Sequence, residues 1–252
     1  PAWYAVQALP YIMESEVESA DNIFDRYYAN SIASYLVNAN TKIKSVFDVW
    51  KNYTPDAVLS NLEKNEELKS ALLQETPWVM DAKNETERKQ RVALLFDLNR
   101  MSDELASSLR KLQQKQSPNG GWPWFKGMPD SRYITQEIVT GFGHLQNLGI
   151  ADLKKNPETW DMVRNAIYYL DDRIKEDYDW LLRNDADLKL NHLGYTQIQY
   201  LYARSYFLEM LPIGEIIQTP FGFYQEQAKK FWLQNNKYAQ GMIALALKRL
   251  GD

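Results

Sequence analysis

Glu18-Ser19-Ala20-Asp21-Asn22-Ile23-Phe24-Asp25-Arg26-Tyr27-Tyr28-Ala29-Asn30 is the stretch on which the reading of this chain turns. Phe24, Tyr27 and Tyr28 stand three and four positions apart, and the same steps continue to Ile32 and Tyr35. That spacing predicts a helix over 20–37 with one aromatic face. Stripes of this kind pack into cores, and this one is read as core. Ser19 or Asp21, ahead of the apolar run, supplies a helix N-cap. As chemistry the stretch offers little: Ser19 is an ordinary alcohol with no base beside it in sequence.

Working outward, helical spacing recurs along the chain. A short helix over 1–9 stops before Pro10. Thr54-Pro55 opens another through Leu62, 66–74 follows, and Thr76-Pro77 repeats the start signal. A long run from Asn84 or Thr86 pauses at Met101-Ser102, where Ser102 caps a new segment carrying Leu105, Leu109 and Leu112 to Gln116. Further helices are predicted over 133–148, 157–182, 195–211, 220–234 and 237–250. The helix from Pro157 is the clearest, with Trp160, Val163, Ile167, Leu170, Ile174, Tyr178 and Leu181 at steps of three and four. Alternation of period two with β-branched residues never persists for five positions, so the class is all-α. A bundle, an α-solenoid and a closed ring of helical hairpins remain open, the solenoid disfavoured by the lack of a fixed repeat.

The 252 residues are 45% hydrophobic and 25% charged, an ordinary globular balance, and no linker-like stretch interrupts them. Residues 1–252 therefore read as a single helical domain. A formal charge of -4 with interleaved signs gives no basic stripe for phosphates, which argues against nucleic acid as a partner. Cysteine is absent, which excludes disulfides and thiolate metal sites. No run of about 18 apolar residues occurs, so no membrane insertion by this segment is expected. A start at Pro1 and an end at Gly251-Asp252, directly after a helix, suggest a fragment of a longer polypeptide, with any targeting signal upstream.

Catalytic and metal signatures are missing: there is no Ser-His-Asp arrangement, no phosphate loop and no His-Glu-x-x-His. No metal and no cofactor is expected. Asp171-Asp172 and Glu176-Asp177, with Arg173 and Lys175 interleaved, read as a solvated helix face. Asp185-Ala186-Asp187-Leu188-Lys189 places a lysine where a calcium loop needs an oxygen. His144 and His192 stand in no recognisable catalytic context.

The loop from Gln116 to Thr135 carries three of the eleven glycines and three of the ten prolines. Pro118-Asn119-Gly120 is a turn signal. Gly120 and Gly121 then lead to Trp122, Trp124 and Phe125, a large apolar area on a non-helical segment. Tucked over helix ends, these rings would be core; exposed, they would form a platform for sugar rings or cations. The core reading is preferred.

The first stretch resembles the thioester segment of the bacterial alpha-2-macroglobulin family, Cys-x-Glu-Gln followed by x-Phe-x-Arg-Tyr-Tyr-Ala-Asn. Here those four positions are Ser19, Ala20, Asp21 and Asn22, so the motif is degenerate. Asn119-Gly120-Gly121-Trp122 and Ser131-Arg132-Tyr133-Ile134-Thr135 resemble the family's second stretch, in the same order. The resemblance implies an α/α toroid of helical hairpins, the thioester domain of a protease-trapping inhibitor. It implies that the reactive thioester is lost, that the domain is not an enzyme, and that trapping is steric. The implied partners are other domains of the parent protein and the proteases it traps, in the periplasm or at the cell surface. The alternative is an α/α-toroid carbohydrate-active enzyme or glycan-binding module, with Trp122 and Trp124 stacking on sugars.

Overall fold

A computed structural model describes residues 18–39 and 98–251. The helices expected over 1–9 and between 54 and 97 lie outside the described residues. Among the described residues the chain is all-α, with no β-strand beyond one isolated bridge, Pro123 to Asp130. Seven α-helices are present there: α1 (Ala20–Ala39), α2 (Leu98–Lys115), α3 (Arg132–Asn147), α4 (Pro157–Arg183), α5 (Tyr195–Ser205), α6 (Glu215–Phe231) and α7 (Lys237–Arg249). Short 3-10 turns occupy Leu153–Lys155 and Trp232–Gln234. The chain divides into two compact units, residues 1–18 with 22–110 and residues 19–21 with 111–252.

In the first unit α1 buries Ile23, Phe24 and Tyr27, with Phe24 ring centroids 6.2 Å from Tyr27 and 6.0 Å from Tyr28. The expected stripe does not stay in the core to its end, for Tyr35 is exposed and Ile32 only half-buried. Polar residues take that part of the buried face. Ser31 donates its hydroxyl to the Tyr27 carbonyl at 2.7 Å, which satisfies a buried hydroxyl without any partner from another element. Asn30 is fully buried and both its amide atoms lack a hydrogen-bond partner among the described residues.

In the second unit α5 packs on α3 and α7, α4 packs on α3 and α6, and further contacts join α4 with α5, α5 with α6 and α6 with α7. The apolar set of α4 faces this core, with Val163, Ile167, Leu170, Ile174 and Leu181 buried. Capping fixes the starts. The Ser131 hydroxyl accepts from the Ile134 amide, Asn156 Oδ1 from Thr159 at 3.1 Å, and Asn236 Oδ1 from Ala239 at 2.9 Å. Pro157 sits in the first turn of α4, where its missing N–H costs nothing.

Three boundaries differ from expectation. α2 runs unbroken through Met101 and Ser102, because Ser102 points to solvent and the leucine spacing carries on past it. α5 stops at Ser205 rather than continuing to Leu211. There the buried Arg204 guanidinium donates to the Leu211 and Pro212 carbonyls at 2.8 and 3.2 Å, folding the following segment back against the helix end. That fold-back also seats Phe207 in the core beside Trp160. α6 starts at Glu215, five residues before the expected Pro220, which is an interior residue of the helix. Its missing N–H leaves the Ile216 carbonyl unclaimed by the helix, and Ile216 lies on the solvent side where water can take it.

The acidic run of α4 is also not uniformly solvated. Asp171 is buried, accepting hydrogen bonds from the Tyr200 hydroxyl at 2.6 Å and from Arg204 Nε at 3.1 Å. Position 171 is four residues after Ile167 and three before Ile174, so it falls on the apolar face. A charge can stay there only with partners.

Candidate functional site

The loop between α2 and α3 is built from its turn residues upward. The Gly120 amide donates to the Ser117 carbonyl at 2.8 Å, closing the expected turn, and Asn119 Oδ1 accepts from the Gly121 amide at 3.0 Å. Gly120 has a φ of +92°, and a Cβ there would lie 2.2 Å from the carbonyl oxygen of Asn165 in α4. Two constraints thus require glycine: the left-handed backbone and the close pass over α4. Gly121 is nearly as confined, since a Cβ would meet the Tyr169 ring at 2.9 Å. Gly120→Ala is expected to destabilise by about 2 kcal/mol or more from positive φ and displacement of α4. A denaturant midpoint matching that of the parent would refute this.

Side chains then tie the two ends of the loop together. Asp130 accepts from the Ser117 hydroxyl at 2.5 Å and from Asn119 Nδ2 at 2.8 Å. The Ser131 amide donates to the Trp122 carbonyl at 2.9 Å, and the Trp122 amide donates to Thr135 Oγ1 at 2.9 Å. Gln116 Nε2 reaches both the Gly120 and the Met162 carbonyls, at 2.9 and 2.8 Å. What this clasp holds in place is Trp122, 0% exposed, whose indole N–H donates to the Leu112 carbonyl at 2.9 Å.

The other two rings of the loop fare differently. Trp124 is 38% exposed and stacks on Tyr133 with centroids 6.3 Å apart, and Phe125 is 45% exposed. The preferred core reading therefore holds for Trp122 and not for Trp124 and Phe125. Conversely, a sugar platform cannot use Trp122 at all.

The degenerate motif meets this loop. Ser19 stands immediately before α1, Ala20 to Asn22 form its first turn, and both Ser19 and Ala20 are buried. The Ala20 amide donates to the Trp124 carbonyl at 3.0 Å. One of the first-turn amides of α1, which the helix itself cannot satisfy, is thus satisfied by the loop. Asp21, in the same turn, has Oδ1 shut from solvent with no partner among the described residues, and Asn22 is half-buried. Neither histidine serves Ser19 as a base through these contacts. His144 Nε2 is paired with the Tyr202 hydroxyl at 3.1 Å, and His192 Nε2 with the Asp187 carbonyl at 2.9 Å. Burial, helped by Arg249, holds the His144 imidazole below its ordinary value.

Among the described residues no group of three or more His, Asp or Glu side chains is placed to hold a metal ion. Asp185, with φ of +48°, and Asp187, whose carboxylate accepts from the Lys189 amide at 2.9 Å, make a turn between α4 and α5. Sequence reading missed the Asp171, Tyr200 and Arg204 cluster, although the helical spacing of both Asp171 and Arg204 within apolar stripes was a usable signal. No helix among the described residues is long and apolar enough to cross a membrane. Compared with known proteins, the chain matches no family model, no curated protein and no solved structure.

Proposed function

We propose that this chain is the thioester-type domain of a bacterial alpha-2-macroglobulin-like protease trap whose reactive thioester has been lost. The observation that carries the reading is the hydrogen bond from the Ala20 amide to the Trp124 carbonyl. Two motifs that independently resemble that family, far apart in sequence, are in contact through it. The all-helical packing of α3 to α7 on one another suits an α/α toroid of hairpins.

In this reading the domain is not an enzyme. Ser19 has an unactivated hydroxyl and Asn22 is one methylene shorter than the family's Gln, so no thioester forms and restraint of a captured protease is steric. Its partners are the other domains of the parent protein and the proteases trapped by it, in the periplasm or at the cell surface.

Mass spectrometry after incubation with methylamine tests the site. The protein is expected to keep the mass of its sequence, with Ser19 and Asn22 unmodified. An adduct at Asn22, or loss of ammonia from a Ser19 to Asn22 ester, would show a live acyl group instead. Ser19→Cys alone is expected to stay inert, because the carboxamide still falls short of the thiol. The trap itself is tested on the full-length parent. A protease incubated with it should still cleave small peptide substrates and lose activity on large protein substrates; equal activity on both would end the proposal.

A further inference from the structure

The second unit contains a cleft of about 580 Å³ between the C-terminal half of α4, the α4–α5 connection and α6, a volume within the range of small-ligand sites. Its wall includes Asp177, Trp180, Arg183, His192, Gln197 and Tyr224. Trp180, 57% exposed, lines the cleft and supplies an apolar ring to its wall.

The polar groups have defined free capacity. Asp177 Oδ2 accepts from Arg132 at 2.6 Å and from Gln197 Nε2 at 2.7 Å, which leaves Oδ1 as an acceptor. His192 Nε2 faces a carbonyl oxygen, the Asp187 carbonyl, so it carries the proton and Nδ1 is an acceptor in the neutral ring. Tyr224 is a buried ring whose hydroxyl has no hydrogen-bond partner among the described residues. Arg132 and Gln197 lock the Asp177 carboxylate in place from two other helices, so its orientation is set before any ligand arrives.

These features select the ligand. A ring face beside a fixed carboxylate, an imidazole acceptor, a phenol and an amide matches a pyranose, whose C–H face stacks on an indole while its hydroxyls both donate and accept. A cationic ligand fits less well. The cleft's two carboxylates are already paired, Asp177 with Arg132 and Glu176 with Arg173 at 2.5 Å, and Arg183 adds a guanidinium with no ion-pair partner among the described residues.

We propose that this cleft binds an uncharged oligosaccharide, with Trp180 as the stacking face and Asp177, His192 and Tyr224 as the polar contacts. The proposal is for binding alone. The inference does not depend on the trap reading. It needs neither Ser19 nor the aromatic loop.

Ligand-detected saturation-transfer NMR and calorimetry with the intact chain test it, using cello-, xylo-, manno-, malto- and chito-hexaose as probes. At least one is expected to bind, and Trp180→Ala, at a solvent-facing position where folding is unaffected, should weaken that binding about tenfold or more. Tyr224→Phe should weaken it more modestly while leaving the ring packed. Trp124→Ala should leave it unchanged. Failure of the whole panel to bind, binding indifferent to Trp180→Ala, or binding lost with Trp124→Ala would each overturn the proposal. So would saturation of the cleft by an arginine-containing tripeptide in place of every sugar.

Discussion

Trp122→Ala is expected to destabilise the protein by about 3–5 kcal/mol, the range for deleting a large buried ring. The ring is 0% exposed, so its apolar area is removed from water completely. The indole N–H bond to the Leu112 carbonyl disappears with it. Relaxation into the cavity is restricted, because Gly120 already passes over α4 with no room for a Cβ and the loop ends are tied through Asp130. Trp122→Phe should recover much of the loss, since it keeps an aromatic body and omits the hydrogen bond. Urea melts of the three proteins check this, and a cost under about 1 kcal/mol for the alanine variant would place the ring outside the cooperative core.

A loss of similar size, about 3–5 kcal/mol, is expected for Arg204→Ala, because it strands a buried carboxylate. The side chains of Arg204 and Asp171 are only 2% and 6% exposed. Burial pushes the Asp171 carboxyl above its ordinary value, with Arg204 and the Tyr200 hydroxyl pulling it back down. A raised folded-state value means that the native protein keeps this proton at a pH where the unfolded chain has released it. The contribution is therefore complete below the unfolded value of 3.8 and is lost as pH rises through the folded value. Without Arg204 the folded value climbs further, so the variant should lose stability relative to the parent as pH is raised from about 4 towards 7. Adding Asp171→Asn should flatten that difference and return part of the stability, since no charge then remains in the core. Parallel pH profiles for the single and double variants would refute the account.

What could be read in the sequence was whatever depends on local spacing. α4 was legible from Pro157 onward because its apolar set repeats at steps of three and four, with a proline in the first turn. The turn at Pro118-Asn119-Gly120 was legible because positive φ selects glycine. Features set by distant partners were not. α5 ends at Ser205 because Arg204 captures two carbonyls from the segment that follows, a demand that periodicity through Leu211 does not reveal. Asp171 looked like one member of an acidic surface run, and only Tyr200 and Arg204, about thirty residues on, make its burial tolerable. The three rings of the loop looked alike in sequence, yet one is core and two are surface. The Leu112 carbonyl gives the Trp122 indole N–H a partner, which lets that ring be enclosed without stranding a polar group.

The bond from Ala20 to Trp124 also gives the first helix a clock. An amide in the first turn of an isolated helix exchanges its hydrogen with solvent almost freely, because no carbonyl of its own helix reaches it. Here exchange at Ala20 requires that the loop carrying Trp124 let go. The slowing of that one amide in deuterated buffer therefore measures the free energy with which two segments about a hundred residues apart in the chain stay joined, a closure that entropy opposes. Where neighbouring first-turn amides exchange quickly and Ala20 does not, the difference is the strength of that latch, read without perturbing a single side chain.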